Sequence, residues 1–208
     1  AFNRWEAGQR LAVQRLLGAV RQGGALVLDD AYAAAMRSVL NDGMLDAAFK
    51  ELVLTLPSEG YLAERMAEAG EPIDPQAIHA ARESMRAQLA RGLHADWVTA
   101  WEQNSQTGGY RPDPVSCGRR ALANLALSML VLDSVAQGET VWQGKALQRF
   151  KDAGNMTDRL GALTALVHGR SSLAAAALDR FHAGFSGEAL VIDKWFALQA
   201  AAPEHAGD

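Results

Sequence analysis

The stretch "NMTDRLGALTAL", residues 155–166, decides how this chain is read. Asn155 and Thr157 are residue types that accept hydrogen bonds from the open N–H groups of a first helical turn. Asp158 and Arg159 follow as a charged pair at the helix start, where a carboxylate suits the helix dipole. Met156 is placed to act as a hydrophobic staple, and Leu160, Leu163 and Leu166 sit at helical spacing to face a neighbour. Nothing in the segment is chemically reactive. It specifies where a helix begins and which face it buries, so the reading starts from packing.

The same grammar runs outward. Asn3 with Glu6 forms a capping-box pattern beside Trp5, Ala12, Leu16 and Val20, and Gly23-Gly24 closes that helix. Asp29-Asp30 caps a second helix carrying Tyr32, Met36, Val39 and Leu40. Asp46 opens a third with Phe49, Leu52, Val53 and Leu56 inward, and a short fourth covers 58–69. Asp74-Pro75, a cap followed by proline, starts the longest predicted helix, which runs to 104. Its stripe of Ile78, Ala81, Met85, Leu89, Leu93, Trp97 and Trp101 advances mostly in fours and so drifts by about 40° per step. Asp113-Pro114 opens another helix through Leu122, Leu125, Met129 and Leu132. Four more are expected over 140–153, 157–168, 172–183 and 187–201, with glycines at their boundaries.

No strand pattern is convincing. "ALVLDD" and "ELVLTLP" are short apolar runs, and the second sits inside a capped helical period. The expected fold is all-α: about ten helices as stacked helical hairpins in a HEAT- or armadillo-like curved superhelix. A single helical domain over 1–208 is expected, with the polar linker 104–114 as a surface loop or a seam between halves.

Composition narrows the function classes. With 208 residues, 49% hydrophobic and 21% charged, the chain can bury a sizeable core and is not of the disordered type. A net charge of -4 gives phosphate-backbone binding no bulk support, so no nucleic-acid partner is expected. No uninterrupted apolar run approaches the roughly 20 residues that span a bilayer, and the N-terminus has no apolar signal core. No membrane partner is expected, and the location is read as cytoplasmic. The single cysteine, Cys117, excludes an internal disulfide and a cysteine-rich zinc cluster.

The search for chemistry finds little. A zinc hydrolase needs two histidines one helical turn apart with a glutamate beside the first. His79, His94, His168, His182 and His205 lack that spacing, and none precedes a glutamate. His79 with Glu83 reads as a solvated helix face before a ligand pair. Cys117 reads as a small buried hydrophobe before an activated thiol. Trp97 and Trp101, one turn apart, read as packing, with a pocket wall as the sharper alternative. A Ser-His-Asp site is not a sequence-local pattern and stays open. No nucleophile elbow, P-loop or dinucleotide fingerprint occurs. Asp158-Arg159 and Asp193-Lys194 read as first-turn stabilisers, or else as charges that meet an adjoining domain or line a cavity.

Together with "VIDKWFALQA" (191–200), the opening stretch resembles the C-terminal helical domain of bacterial aminopeptidase N, in the alanyl aminopeptidase family of zinc metallopeptidases. "NRWEAGQ" (3–9), "LTLPSE" (54–59), "IDPQAI" (73–78) and "RRALAN" (119–124) resemble it too, in the family's order, so the blocks span almost the whole chain. They single out Arg4, Trp5, Asn155, Asp158, Arg159, Asp193, Lys194 and Trp195 as motif or interface positions.

The resemblance implies a parent enzyme with an N-terminal β domain, a thermolysin-like catalytic domain, a small β domain and this helical domain. Its zinc ligands lie in His-Glu-x-x-His plus a downstream Glu, a Gly-x-Met-Glu-Asn motif holds the substrate α-amine, and a tyrosine assists the transition state. This chain contains none of these motifs, so no catalytic or metal residue is assigned to it. It is expected to be a fragment, with further helices after 208, zinc in the parent enzyme and none in this segment. The implied role is to cover the active-site cavity and restrict access to small or unfolded peptides. The implied partners are the catalytic domain of the same polypeptide and the enzyme's peptide substrates. An apolar edge near Trp195, Phe196 and Leu198 is expected to make the fragment self-associate. The alternative is a free-standing helical-repeat scaffold that binds protein partners on a concave face; an independent thiol- or histidine-dependent enzyme is a third reading.

Overall fold

The computed structural model describes residues 2–23, 26–106 and 108–203. Every regular element among them is a helix. There are eleven: α1 (Phe2–Arg21), α2 (Asp30–Asn41), α3 (Ala47–Leu54), α4 (Glu59–Glu68), α5 (Pro75–Gly92), α6 (His94–Asn104), α7 (Pro114–Ala136), α8 (Val141–Asp152), α9 (Met156–His168), α10 (Ala174–Phe185) and α11 (Ala189–Ala200). Six start on the side chain that local chemistry selects: Asp29, Asp46, Ser58, Asp74, Asp113 and Asn155 each accept a first-turn N–H.

Several expectations are corrected. Asn3 lies inside α1, which is already helical at Phe2, so it does not cap; Gly24 lies outside the described residues. The helix expected from 74 to 104 breaks at Leu93 (φ -113, ψ 23), just after Gly92, a poor helix former. The stripe from Ile78 to Trp97 stays buried through the break, and the longest helix is instead α7, with 23 residues. On α3, Leu52 is 54% exposed and Leu54 takes the inward position. Thr157 is inside α9, and Met156 is its first residue rather than the flanking position a staple occupies.

Contacts group Ala1–Asp96 into one compact unit and Trp97–Asp208 into another, so the linker 104–114 falls wholly within the second. In the first unit α1 packs on α3, α4 and α5, and α2 on α3, around Leu16, Leu62, Ile78 and Met85. Its surface carries Arg15–Asp29. Hydrogen bonding from Arg15, then from the Tyr32 N–H, holds the Asp29 carboxyl at about 2.

In the second unit α7 packs on α8 and α9, and α9 on α10 and α11. Ala123 and Ala126 of α7 and Ala162 and Ala165 of α9 are wholly buried, so backbones approach closely where side chains are small. Gly161 marks the tightest point: a Cβ there would stand 2.5 Å from Asn124 Cγ of α7. By length and apolar content α7 could cross a membrane, but 56% of its most apolar window is buried inside the unit, as in the core helix of a packed domain. Arg119, Arg120 and Asp133 interrupt it.

Candidate functional site

The segment quoted first builds the most organised polar site described. Helix α8 closes with the Ala153 N–H on Arg149 O (2.9 Å), and the chain reverses through Gly154 into α9. Asn155 stays extended (φ -144, ψ 157), so its Oδ1 accepts the Asp158 N–H at 2.9 Å while its Nδ2 donates to Asp158 Oδ2 at 2.9 Å. That reciprocal pair fixes the helix start and the Asp158 rotamer together. Asp158 Oδ1 lies 3.0 Å from Arg149 Nη2, and both side chains are nearly buried (10% and 13% exposed).

Asp158 lies in the first turn of α9, and it does not pair with Arg159. Adjacent helical residues point apart, and the partner of Asp158 is Arg149, across the turn. Arg159 instead donates Nη2 to Ala153 O at 2.7 Å and lies over Phe185, 5.5 Å from the ring centroid.

A cleft of about 400 Å³ opens beside this turn, lined by Trp101, Lys145, Gln148, Arg149, Asp152 and Asn155 among others. Trp101 and Trp142 meet edge to face at 5.3 Å, and Lys145 Nζ stands 4.0 Å from the Trp142 centroid. Of the two tryptophans singled out from sequence, Trp101 reaches the cleft while Trp97 is fully buried. Trp142, Lys145 and Arg149 were not singled out. Their signal is a three- and four-residue spacing on one face of α8.

The other candidates lie apart from this turn. In the first unit, Arg4 is exposed, 3.9 Å from Asp42, and Trp5 is half-buried on α1. Asp193 and Lys194 are exposed and lie beyond the first turn of α11, which begins at Ala189, so they are not the helix-start pair expected. Trp195 anchors α11 by donating Nε1 to Leu178 O at 3.1 Å, with its ring 5.0 Å from that of His182.

His79, exposed on α5, contacts Glu59 at 2.8 Å, whereas Glu83 pairs with Arg82 and Arg86, so the two residues take different partners. Cys117 is exposed, which corrects the buried reading, and its sulfur accepts from Arg120 Nη2 at 3.1 Å. The first turns of α7 bury Ser116 and Gly118 in its place, a face of small residues that an apolar count overlooks. His205 lies outside the described residues.

Zinc does not fit here: among the described residues no three His, Cys, Asp or Glu side chains gather as a ligand set. The site can hold a turn rigid, and it presents cations and an indole to a cleft.

Serial capped helices, close-packed through small residues, define a helical-repeat protein. Residues 1–207 match the family model described as "Domain of unknown function (DUF3458_C) ARM repeats", and the chain belongs to that family, which supplies the C-terminal helical region of bacterial aminopeptidase N. Aminopeptidase N of Caulobacter vibrioides is 38% identical over 203 residues, covering 97% of this chain and 22% of that protein. Aminopeptidase N of Escherichia coli is 34% identical over 205 residues, with the same two shares. The chain therefore spans about a fifth of the length of the curated relatives it matches (22%). The crystal structure of Legionella pneumophila aminopeptidase A in complex with aspartic acid is similar in fold, with a TM-score of 0.78 at 23% identity, over 98% of this chain and 24% of that one.

Proposed function

We propose that this chain is the non-catalytic helical segment of a zinc-dependent aminopeptidase N that removes N-terminal amino acids from peptides. The observation that carries the reading is the family match over 1–207, joined to relatives named aminopeptidase N of which the chain covers 22%. On this reading the metal and the reacting groups belong to other parts of the polypeptide. The segment covers the active-site cavity and restricts entry to small or unfolded peptides.

A wall of that kind needs a fixed shape, and the capped, ion-paired turn at Asn155 supports the role. Its partners are the catalytic domain of the same polypeptide and peptide substrates, not nucleic acid or membrane, in a cytoplasmic setting. Of the apolar edge expected at Trp195, Phe196 and Leu198, Leu198 is buried and Trp195 half-buried, which corrects that expectation; Phe196, with Leu190, is exposed on α11, and self-association of the isolated chain is proposed on these two.

The test is to mix the purified chain with the rest of the enzyme. Saturable binding that narrows cleavage to short peptides supports the reading. Indifference between the two favours a free-standing scaffold.

A further inference from the structure

We propose that Cys117 is a site of reversible S-thiolation by a small acidic disulfide, with Arg120 as the receptor for the carboxylate of the attached half. Cys117 is exposed at the start of α7, and it is the chain's single cysteine. Beside it lies a cation in an uncommon state. Arg120 is 3% exposed, yet its guanidinium pairs with no carboxylate among the described residues. Buried arginines are nearly always paired, because an unmet charge away from water is costly. Nη2 donates to Cys117 Sγ at 3.1 Å, and the Tyr110 ring covers the guanidinium at 4.6 Å from Cζ. Nε and Nη1 have no acceptor, and of the two only Nε is sealed from solvent. Cys117 and Arg120 are three residues apart, so α7 itself aims the guanidinium at the sulfur.

Charge selects the partner. Residues 105–123 carry Arg111, Asp113, Arg119 and Arg120, three cations to one carboxylate, and no further charge follows until Asp133. The carboxylate is already engaged: Asp113 Oδ1 accepts the Ser116 N–H at 3.0 Å, and Oδ2 lies 3.3 Å from Arg111 Nε. Arg120 is thus the uncompensated cation at the sulfur, with donor capacity that a thiol does not use. A carboxylate joined to Sγ through a short arm meets that cation, whereas an ammonium in the same place meets a like charge. The exchange balances without another reactant. Cys117 releases its proton, giving up the 3.5 Å contact of its thiol with Pro112 O, and Sγ attacks one sulfur of the disulfide. The new S–S bond forms as the old one breaks. Sγ is oxidised, and the departing half leaves as a thiolate that takes up the proton. A free small thiol reverses the step. The site is complete within residues 110–120 and needs nothing of the parent activity.

The experiment equilibrates the 208-residue chain with three thiol–disulfide buffers of similar arm length and reads the adduct by intact mass. The probes are dithiodipropionate (anionic), bis(hydroxyethyl) disulfide (neutral) and cystamine (cationic). Each equilibrium is normalised to that of the chain unfolded in urea, which cancels the probes' own chemistry. The native chain is expected to favour the anionic adduct about tenfold over the neutral one, the worth of one charge-assisted hydrogen bond, and to disfavour the cationic one. In Arg120→Met the preference should fall to near unity, with the thermal midpoint checking that the fold survives. If that variant does not fold, the probe comparison in the unaltered chain decides alone. Equal adduct formation with all three probes, a preference for the cationic one, no adduct, or a preference that survives in folded Arg120→Met would each overturn the proposal.

Discussion

Helices α9 and α11 are of similar length and both are rich in apolar residues, but α9 buries six of its thirteen residues and α11 one of its twelve. Helix α9 starts on a side-chain cap, whereas Glu188 offers none to α11. Asp158 of α9 is buried against Arg149; Asp193 and Lys194 of α11 are exposed. Only Leu198 is buried on α11, which is otherwise tied by the Trp195 indole to Leu178 O and by His168 Nε2 at 3.3 Å from Leu198 O. Apolar content alone therefore does not make a helix part of a core. What counts is whether neighbours and polar partners are in place to complete it.

The sharpest way to break this contrast is to remove the same group from both helices. Asp158→Ala leaves the Arg149 guanidinium nearly buried without its counter-charge and should cost about 4 kcal/mol in urea unfolding, while Asp193→Ala should stay within about 0.5 kcal/mol. If the two cost the same, the contrast is gone.

Cavity formation ranks next. Leu163→Ala, wholly buried on α9, should lose about 3 kcal/mol, and Leu190→Ala, 79% exposed on α11, less than about 0.5 kcal/mol. Asn155→Ala should cost about 1 kcal/mol through the lost cap, measurable as a lowered thermal midpoint.

The close approach at Gly161 gives a smaller effect whose sign depends on its neighbour. Alone, Gly161→Ala should destabilise, because its Cβ meets the Asn124 side chain. In an Asn124→Ala background the same change should stabilise by about 0.5–1 kcal/mol, the helix propensity of alanine over glycine. An unchanged sign in the double-mutant cycle would show that α9 does not sit so close to α7.

The smallest effect concerns an exposed counterpart of Asp158 in the first unit. Asp29, held at about 2 against an ordinary 3.8, contributes stability that is complete above pH 3.8 and fades as pH falls toward 2. Its NMR titration midpoint should rise toward the ordinary carboxylate range in Arg15→Met.

Much of the fold was legible because helix starts are local chemistry. Asp29, Asp46, Ser58, Asp74, Asp113 and Asn155 need only their own next few residues to declare themselves. The break at Leu93 was not, since a stripe drifting in fours suits one long helix or two shorter ones equally. The candidate site was half legible. Asn155 and Asp158 were visible as a helix start, but Arg149 reaches Asp158 only once α8 has folded back on α9, and Trp142 meets Trp101 across 41 residues. Rules for adjacent positions do not extend over a turn. Cys117 was misplaced for a related reason: the inward face at the start of α7 is made of small residues, which hydrophobic periodicity does not weigh.

The proposed function has these helices shape a peptidase and leaves its chemistry to other parts of the polypeptide. The direct test incubates the purified chain with zinc and an alanyl anilide. The expected rate is indistinguishable from buffer, with no stoichiometric metal retained after dialysis. Robust zinc-dependent turnover by the chain alone would contradict it.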